Sequence, residues 1–401
     1  MIFRCISCGT TTENVPVADT RCAKCGDLLD WCGSGNVSVS ALLPPPQEFT
    51  LWRYATLLPE FEDSRIISLS EGGTPLTYSE RLGEQIGIDE LFLKNEGRNP
   101  TGSFKDRGMT VAVTAASALG YRAAICASTG NTAASMAAYC SKADLKSIVL
   151  VPKGKVVGTK LAQAYAAGAS ILEVEGNFDQ ALKLVREVQG NRIAILNSIN
   201  PFRIEGQKTA AFEICDQLGA APDWLVIPVG NGGNITAYWK GFSEFKAIGA
   251  ISSLPKMVAV QARGAAPLVH AVRNNEDTVK GMDGPETIAS AIRIGKPANW
   301  KRALDAVRSS GGEAIAVSDE EISMAREMIA RTEGMLVELA SAAAVAGLIK
   351  LKREGRIGPG ENVVCIMTGS GLKDVGEERI RTETISSKAS LLDRIEALSV
   401  K

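Results

Sequence analysis

Lys105 stands in Thr101-Gly102-Ser103-Phe104-Lys105-Asp106-Arg107-Gly108, between small turn-forming residues and the start of a helical segment. A lysine that forms a Schiff base must be held still and partly desolvated, so that its amine is neutral often enough to attack a carbonyl. Asp106 and Arg107 compensate one another beside it. Gly102 and Ser103 let backbone and hydroxyl approach a bound cofactor closely. Taken alone, a lysine at the first turn of a helix is more often a solvated residue or a phosphate contact. A second group of residues points to a metal. Cys5, Cys8, Cys22 and Cys25 form C-x2-C, a gap of 13 residues, then C-x2-C. Each pair can present two thiolates from a tight knuckle, with Gly9 and Gly26 supplying the turn, and two knuckles complete a tetrahedral site. Two disulfides or four free thiols are the alternatives. A cytosolic chain favours structural zinc, which would stabilise a segment too short to build its own core.

Composition narrows the remaining chemistry. The 401 residues include a single histidine, His270, so Ser-His-Asp, Cys-His and multi-histidine metal sites are excluded within one chain. His270 sits in an apolar, helical stretch and is read as packed or surface-lying. Acid–base work falls to Lys, Asp, Glu, Tyr or a cofactor. The formal net charge of −1 gives no global attraction to nucleic acid or anionic membrane, so an anionic substrate needs a local cluster of cations. No apolar run is long enough to span a bilayer, and the N-terminus lacks the pattern of a signal peptide. The cytoplasm is therefore the expected location. Cys126, Cys140, Cys215 and Cys365 lie in apolar surroundings and read as small core residues.

The elements that must position Lys105 follow from periodicity. Candidate strands are Ala123–Ala127, Ser147–Val151, Ile171–Val174, Ile193–Leu196, Trp224–Val229, Met257–Gln261, Ala314–Val317 and Val363–Met367. Helical segments rich in Ala, Leu, Lys and Glu alternate with them. One runs from Asp319 to about residue 332, with Ser318 as N-cap, Glu321 completing a capping box and Gly334 as terminator. Continuous apolar strands alternating with helices predict an α/β protein with parallel sheets. Such sheets bind ligands beyond the carboxyl ends of their strands. Three junctions lie there: Ser128-Thr129-Gly130-Asn131-Thr132, which suits a carboxylate or other anion, Gly230-Asn231-Gly232-Gly233-Asn234, and the glycine-rich Thr368-Gly369-Ser370-Gly371. The second lets successive N–H groups curl around a phosphate, yet it is neither a Walker A loop nor a G-x-G-x-x-G fingerprint. An ordinary strand-to-helix turn is the bland reading of each. Together with a Schiff-base lysine they indicate a small cofactor that carries both a carbonyl and a phosphate, and pyridoxal 5'-phosphate has both.

These segments resemble the cofactor motifs of the threonine synthase family, in the tryptophan synthase β-like class of pyridoxal phosphate enzymes. Glu71–Leu76, the run from Asn197 to Glu213 and Thr287–Trp300 extend the resemblance over most of residues 1–380. Some members also carry an N-terminal cysteine module. The resemblance implies two open parallel-sheet domains preceded by a small metal-binding ribbon. It implies that Lys105 carries the cofactor, Asn131 meets its ring oxygen, Gly230, Asn231, Gly232, Gly233 and Asn234 cradle its phosphate, and Thr368 faces the pyridine nitrogen. Ser128 and Thr129 would lie by the substrate carboxylate, and Ser198, Arg203 and Lys208 near a substrate phosphate. These cations would supply the local positive charge that composition demands. The implied activity is that of a carbon–oxygen lyase converting O-phospho-L-homoserine and water to L-threonine and phosphate by γ-elimination and β-addition.

The expected organisation is a cysteine module over 1–35, a linker over 36–46, a catalytic body over 47–385 and a terminal helix over 386–401. A smaller subdomain of about 108–210 would be inserted in the body. A homodimer acting on a small phosphorylated amino acid, without nucleic acid or membrane, is the expected assembly. Three positions depart from the family pattern: Ser370 replaces Asn or His, Leu339 replaces Pro, and Gly232 replaces Ala. Ser370 leaves room for a cysteate synthase acting on phosphoserine and sulfite. A threonine or serine dehydratase is more distant, because the Arg203 segment suits a phosphorylated substrate. A non-catalytic reading makes the cysteine module a nucleic-acid or protein-binding ribbon.

Overall fold

The uninterrupted apolar runs of the chain become parallel strands covered on both faces. A computed structural model describes residues 1–13, 20–33, 50–154, 158–176, 178–187, 193–374 and 395. In chain order the elements are β1 (Ile2–Cys5), β2 (Thr11–Glu13), β3 (Leu29–Trp31), β4 (Leu76–Tyr78), α1 (Glu80–Ile86), β5 (Glu90–Asn95), α2 (Lys105–Ala118), β6 (Ala123–Ala127), α3 (Asn131–Lys142), β7 (Lys146–Pro152), α4 (Gly158–Ala166) and β8 (Ser170–Val174). They continue with α5 (Phe178–Glu187), β9 (Ile193–Ile195), α6 (Pro201–Leu218), β10 (Trp224–Pro228), α7 (Gly233–Ala247), β11 (Lys256–Ala262), α8 (Pro267–Arg273), α9 (Trp300–Ser309), β12 (Glu313–Val317), α10 (Asp319–Glu333), α11 (Leu339–Arg353) and β13 (Asn362–Met367).

Two sheets form the body. One has the order β12-β11-β10-β13-β5-β4, parallel except for the short edge strand β4, which runs antiparallel to β5. The other, β8-β7-β6-β9, is wholly parallel and is built from residues 123–195. The central strand Trp224–Pro228 is buried along its whole length, whereas edge strand β8 exposes Ser170, Leu172 and Glu173. All eight strands expected from apolar patterning are present within a residue or so of their predicted ends. Strands β4 and β5 escape such a reading because the first is only three residues long and the second buries a lysine, Lys94, in the core. The predicted helix after Ser318 is α10. Its capping box is formed in both directions, and Gly334 closes it in the left-handed region at φ 64°. The linker 36–46 and the terminal helix 386–401 lie outside the described residues, apart from Ile395.

Helix α6 runs between α2 and α7 and is buried over most of its length. Asn200 caps it by accepting from the Phe202 N–H, and Pro201 occupies its first turn, where a missing donor costs nothing. Close approach depends on glycine. A Cβ on Gly206 would overlap the Arg107 carbonyl, and one on Gly108 would come within 2.8 Å of the Arg203 carbonyl oxygen. Between these elements lies a charge network with no solvent. Arg107 is bonded to Glu96 at 2.6 Å and to Glu213 at 2.6 Å, and Lys94 meets Glu213 at 2.8 Å. Two cations thus face two carboxylates. Burial alone would raise the Glu213 carboxyl, but Arg107 and Lys94 hold it well below the usual range.

The N-terminal strands form a separate antiparallel sheet, β2-β1-β3. Phe3, Leu29 and Trp31 from it join the same apolar core as Met109, Val113 and Met136. The Phe3 ring meets Phe202 edge-on at 5.4 Å. Lys301 of α9 contacts Asp27 and Ser7, and Lys240 of α7 donates to Asp30 at 3.0 Å. Among the described residues, no helix is long and apolar enough to cross a membrane.

Candidate active site

Helix α2 begins at Lys105, and the loop before it is tied down on two sides. Asp106 accepts from the Thr101 N–H and hydroxyl, each at 2.6 Å, and from the Ser135 hydroxyl of α3 at 2.6 Å. Burial pushes the Asp106 carboxyl up to about 6, against these donors. On the other side, Phe104 N–H donates to the Thr368 carbonyl at 3.0 Å, and Ser370 N–H donates to the Gly102 carbonyl at 2.9 Å. The lysine loop and the loop after β13 are therefore one backbone-bonded unit. Lys105 keeps part of its surface open to a cavity, yet the walls desolvate its amine. That desolvation, followed by the nearby Arg203 charge, holds its pKa well below the lysine range. The ammonium position lies 3.8 Å from the centroid of the Phe104 ring.

The cavity has a volume of about 1210 Å³. A single drug-sized ligand typically occupies about 300–1,000 Å³, so a cofactor and a substrate fit together. Lys105, Ser128, Thr129, Asn131, Ser198, Arg203, Gly230, Asn231, Gly232, Gly233, Asn234 and Thr368 all line it. These residues come from the carboxyl ends of β6, β9, β10 and β13 and from the starts of α2, α3, α6 and α7, which is where parallel sheets present their ligands. Lys208 is the exception. It lies one turn further along α6 and faces the other way. Its ammonium is fully buried against Glu205 at 2.6 Å and Glu244 at 2.8 Å, and it stands 5.0 Å from the Trp31 ring centroid. Charge already neutralised by two carboxylates is not offered to a substrate phosphate, so Lys208 is removed from the expected substrate set.

The glycine loop is shaped for an anion. Gly232 has φ 80°, and a Cβ there would press on Ala303 at 3.0 Å; at Gly230 it would press on the Ala291 carbonyl oxygen at 3.1 Å. Both polar side-chain atoms of Asn234, at the first turn of α7, are buried without a partner. An unpaired buried amide facing a cavity indicates a ligand that completes its hydrogen bonds. Arg203 has the same character. It is buried and donates to the Leu196 carbonyl at 3.2 Å, its Nε is unpartnered, and burial pushes its pKa down to about 10. These residues fit pyridoxal phosphate: a desolvated lysine for its aldehyde, and a backbone cradle with an orphaned amide for its phosphate.

Residues that periodicity and motif position do not reveal complete the wall. Asn131 donates to both carboxylate oxygens of Glu338, at 2.8 and 2.9 Å, and accepts from Lys373 at 3.0 Å. Burial pushes the Glu338 carboxyl up to about 7. The Thr368 hydroxyl is 2.9 Å from the Ser341 hydroxyl, which also accepts from the Gly369 N–H at 3.0 Å. Leu339, where the family pattern has proline, uses its N–H in a long 3.4 Å contact to Asp374. Ser370 also lines the cavity, and its hydroxyl accepts from Leu372 N–H at 3.3 Å. His270 lies exposed on α8 and outside this cavity.

The four cysteines Cys5, Cys8, Cys22 and Cys25 converge at the end of the N-terminal sheet, with all four sulfurs within 4.8 Å of one another. Cys5 and Cys25 are 3.4 Å apart, and Cys8 and Cys22 are 3.6 Å apart. Thiolates at about 2.3 Å from a tetrahedral metal are about 3.8 Å from each other, so the cluster has the dimensions of a Cys₄ site. Gly9 and Gly26 turn each knuckle at φ 68° and 73°. Cys126, Cys140, Cys215 and Cys365 are buried, as expected of core residues.

Residues 67–369 match the model of a family described as pyridoxal-phosphate dependent enzyme, and the chain belongs to that family. Its fold is the α/β, tryptophan synthase β-like arrangement expected from the motifs. The chain is 52% identical to the threonine synthase of Methanocaldococcus jannaschii, over 96% of this chain and 97% of that protein. It is 50% identical to the threonine synthase of Methanosarcina acetivorans, over 93% and 92%. Among solved structures, threonine deaminase isoform 2 from Solanum lycopersicum superposes with a TM-score of 0.64 at 21% identity, covering 82% of this chain and 88% of that one. Maize serine racemase gives 0.63 at 20% identity, covering 81% and 92%. These two likenesses establish the shared fold.

Proposed function

We propose that this chain is a pyridoxal phosphate-dependent threonine synthase, releasing phosphate from O-phospho-L-homoserine and adding water to give L-threonine. The observation that carries this reading is the presence of Lys105 and Arg203, both desolvated and both with unspent chemistry, in one cavity. Relatives of half-identical sequence that bear the name threonine synthase support it.

Bound here, pyridoxal phosphate supplies an aldehyde for the substrate amine and an electron sink for the Cα carbanion. Gly230, Asn231, Gly232, Gly233 and Asn234 would hold its phosphate, with backbone N–H groups and the unpartnered Asn234 amide as donors. Asn131 orients its ring oxygen. Thr368 would face the ring nitrogen with a neutral hydroxyl, which Ser341 holds. Ser128 and Thr129 receive the substrate carboxylate at the start of α3. Arg203 and Ser198 receive the substrate phosphate, where a guanidinium offers paired donors to the departing group. Lys105, neutral once released, takes the proton from Cα, moves protons at the neighbouring carbon and returns one to Cα after water has added at Cβ. Phosphate leaves from Cγ, and the proton taken from Cβ is delivered there, so that Cγ becomes the methyl group before water adds at Cβ. With its pKa held low by desolvation, the amine can accept a proton at neutral pH.

The same reading gives the cysteine cluster a structural zinc ion and makes 1–35 a ribbon docked on a body with an inserted subdomain of about 108–210. It also includes a cytoplasmic homodimer. Metal content near one zinc per chain, and a mass of two chains by light scattering, are the expected measurements. The decisive assay is turnover of O-phospho-L-homoserine with both phosphate and threonine detected. Phosphate release from O-phosphoserine with sulfite, and none from O-phosphohomoserine, would replace this reading with that of a cysteate synthase.

A further inference from the structure

We propose that Asp30 of the cysteine module is a positioning residue for the phosphate-handling wall of the cavity, acting through Arg302 and Asn299. The proposal rests on the functional reading above, and it extends that reading to a segment that touches neither cofactor nor substrate.

Asp30 lies on β3, beside Trp31, and Arg4 of β1 is its cross-strand partner. Its carboxylate accepts from Lys240 at 3.0 Å and from Arg302 at 3.4 Å. The two cations depend on it unequally. Lys240 also pairs with Glu205 at 2.7 Å, whereas Asp30 is the one carboxylate within ion-pair distance of Arg302 among the described residues. Arg302 is mostly enclosed, and its Nε is buried without a partner. Without Asp30 the guanidinium would be a poorly compensated buried charge, free to turn toward water.

The other arm of Arg302 donates to Asn299 Oδ1 at 2.6 Å. Arginine has donors only, so this contact decides which way the Asn299 amide points. With its oxygen held by Arg302, its nitrogen donates to the Ser198 carbonyl at 3.1 Å. The Asn299 backbone N–H meanwhile donates to the Asn231 carbonyl at 2.9 Å, and Ala298 N–H donates to the Asn231 side chain at 3.3 Å. A Cβ on Gly232 would come within 3.2 Å of the Asn299 carbonyl oxygen. One residue therefore fastens Ser198, after β9 of the four-stranded sheet, to the glycine loop after β10 of the six-stranded sheet. The cofactor phosphate and the substrate phosphate are assigned to those two segments. The module touches the same region a second time through Phe3, whose ring packs on Phe202 next to Arg203.

The line Asp30–Arg302–Asn299 predicts an effect on phosphate binding ahead of the chemical step. A misplacement of about 1 Å can cost about a hundredfold. Partial loosening in Asp30→Asn is expected to raise KM for O-phosphohomoserine about tenfold, with kcat within about twofold. The dissociation constants of inorganic phosphate and of the cofactor, titrated by absorbance without turnover, should rise in parallel. Asp30→Glu should restore most of each value. Arg302→Met should match Asp30→Asn, and the double variant should be no worse than either single one, because the residues act in series. Metal content and melting temperature, measured on every variant, identify any that has lost the module.

Unchanged KM, phosphate affinity and cofactor affinity in a folded, metal-loaded Asp30→Asn protein would overturn the proposal. So would additive losses in the double variant, or a fall in kcat with KM constant. Failure of the wild type to turn over O-phosphohomoserine would refute the functional reading instead. The cofactor and phosphate titrations would still test Asp30.

Discussion

The side-chain amide of Asn131 is held from both ends, by Glu338 at 2.8 Å on its nitrogen and by Lys373 at 3.0 Å on its oxygen. The ammonium of Lys373 can only donate, so it fixes the amide with its nitrogen toward Glu338. Both carboxylate oxygens of Glu338 lie within reach of that nitrogen, at 2.8 and 2.9 Å, so the proposed contact of Asn131 with the cofactor ring would have to share it. Burial of Glu338 raises its carboxyl from the ordinary 4.5 to about 7. The sign of the resulting pH dependence follows directly. Between these values the unfolded chain has lost the proton and the folded chain retains it, so stability falls as pH rises. The penalty is absent below about 4.5 and complete above about 7. Glu338→Gln keeps an acceptor for Asn131 and removes the titration. Its melting temperature relative to wild type, measured without cofactor, should be higher at pH 8 than at pH 5. The upper bound is roughly 3 kcal/mol, at about 1.4 kcal/mol per pKa unit. A gap that does not change with pH would count against the raised carboxyl.

Lys105 should be indispensable for chemistry and dispensable for folding. Its amine is desolvated and, among the described residues, makes no ion pair closer than the Phe104 ring contact. Lys105→Ala should abolish the visible absorbance of a Schiff-base-linked cofactor and reduce turnover by roughly a thousandfold or more. Its melting temperature should stay at or above the wild-type value. A large drop in melting temperature would mean that the lysine is structural.

Arg203 should separate substrate binding from cofactor binding. A charge-assisted hydrogen bond contributes about 1.5–3 kcal/mol, so Arg203→Ala should raise KM for the phosphorylated substrate by roughly ten- to a hundredfold. The cofactor spectrum should persist. Arg203→Lys, with the charge but without the planar fork, should fall between the two. An unchanged KM in both variants would place the substrate phosphate elsewhere in the cavity.

The buried charge network around Arg107 predicts a loss of stability when it is broken. Arg107 is bonded to both Glu96 and Glu213 with no solvent access. Arg107→Met would leave two buried carboxylates facing Lys94 alone, at a cost of about 3–5 kcal/mol. Gly206→Ala acts at the same helix crossing by a different route, since its methyl group would overlap the Arg107 carbonyl oxygen. Because α2 carries Lys105 and α6 carries Arg203, any surviving Gly206→Ala protein should also show reduced turnover. Denaturant melts and steady-state kinetics on the two variants test this. Equal stability to wild type would contradict the packing argument.

Much of the site was legible before the structure because its signals are local. A Schiff-base lysine needs a turn on one side and a helix on the other, and a phosphate cradle needs adjacent glycines. A metal knuckle needs two cysteines at fixed spacing. Strands buried on both faces declare themselves by unbroken apolar runs, as at Trp224–Pro228. Residues 101–108, 128–132, 230–234 and 368–371 could therefore be linked to one small phosphorylated cofactor, while their separate roles rested on the family resemblance.

Local pattern alone specified the set of groups able to do this chemistry and the sheet ends that carry them. Tertiary structure decided which charges were already spent. Lys208 and Arg203 lie five residues apart on one helix, and both carry the charge to meet a phosphate. Glu244 and Trp31, from distant segments, claim the first, and the second is left with an unpartnered nitrogen. Glu338, Lys373 and Asn299 gained their roles in the same way, through partners supplied by other elements. Burial fixes the price of a charge, and its neighbours fix whether that charge remains available. Neither quantity exists until the chain has folded.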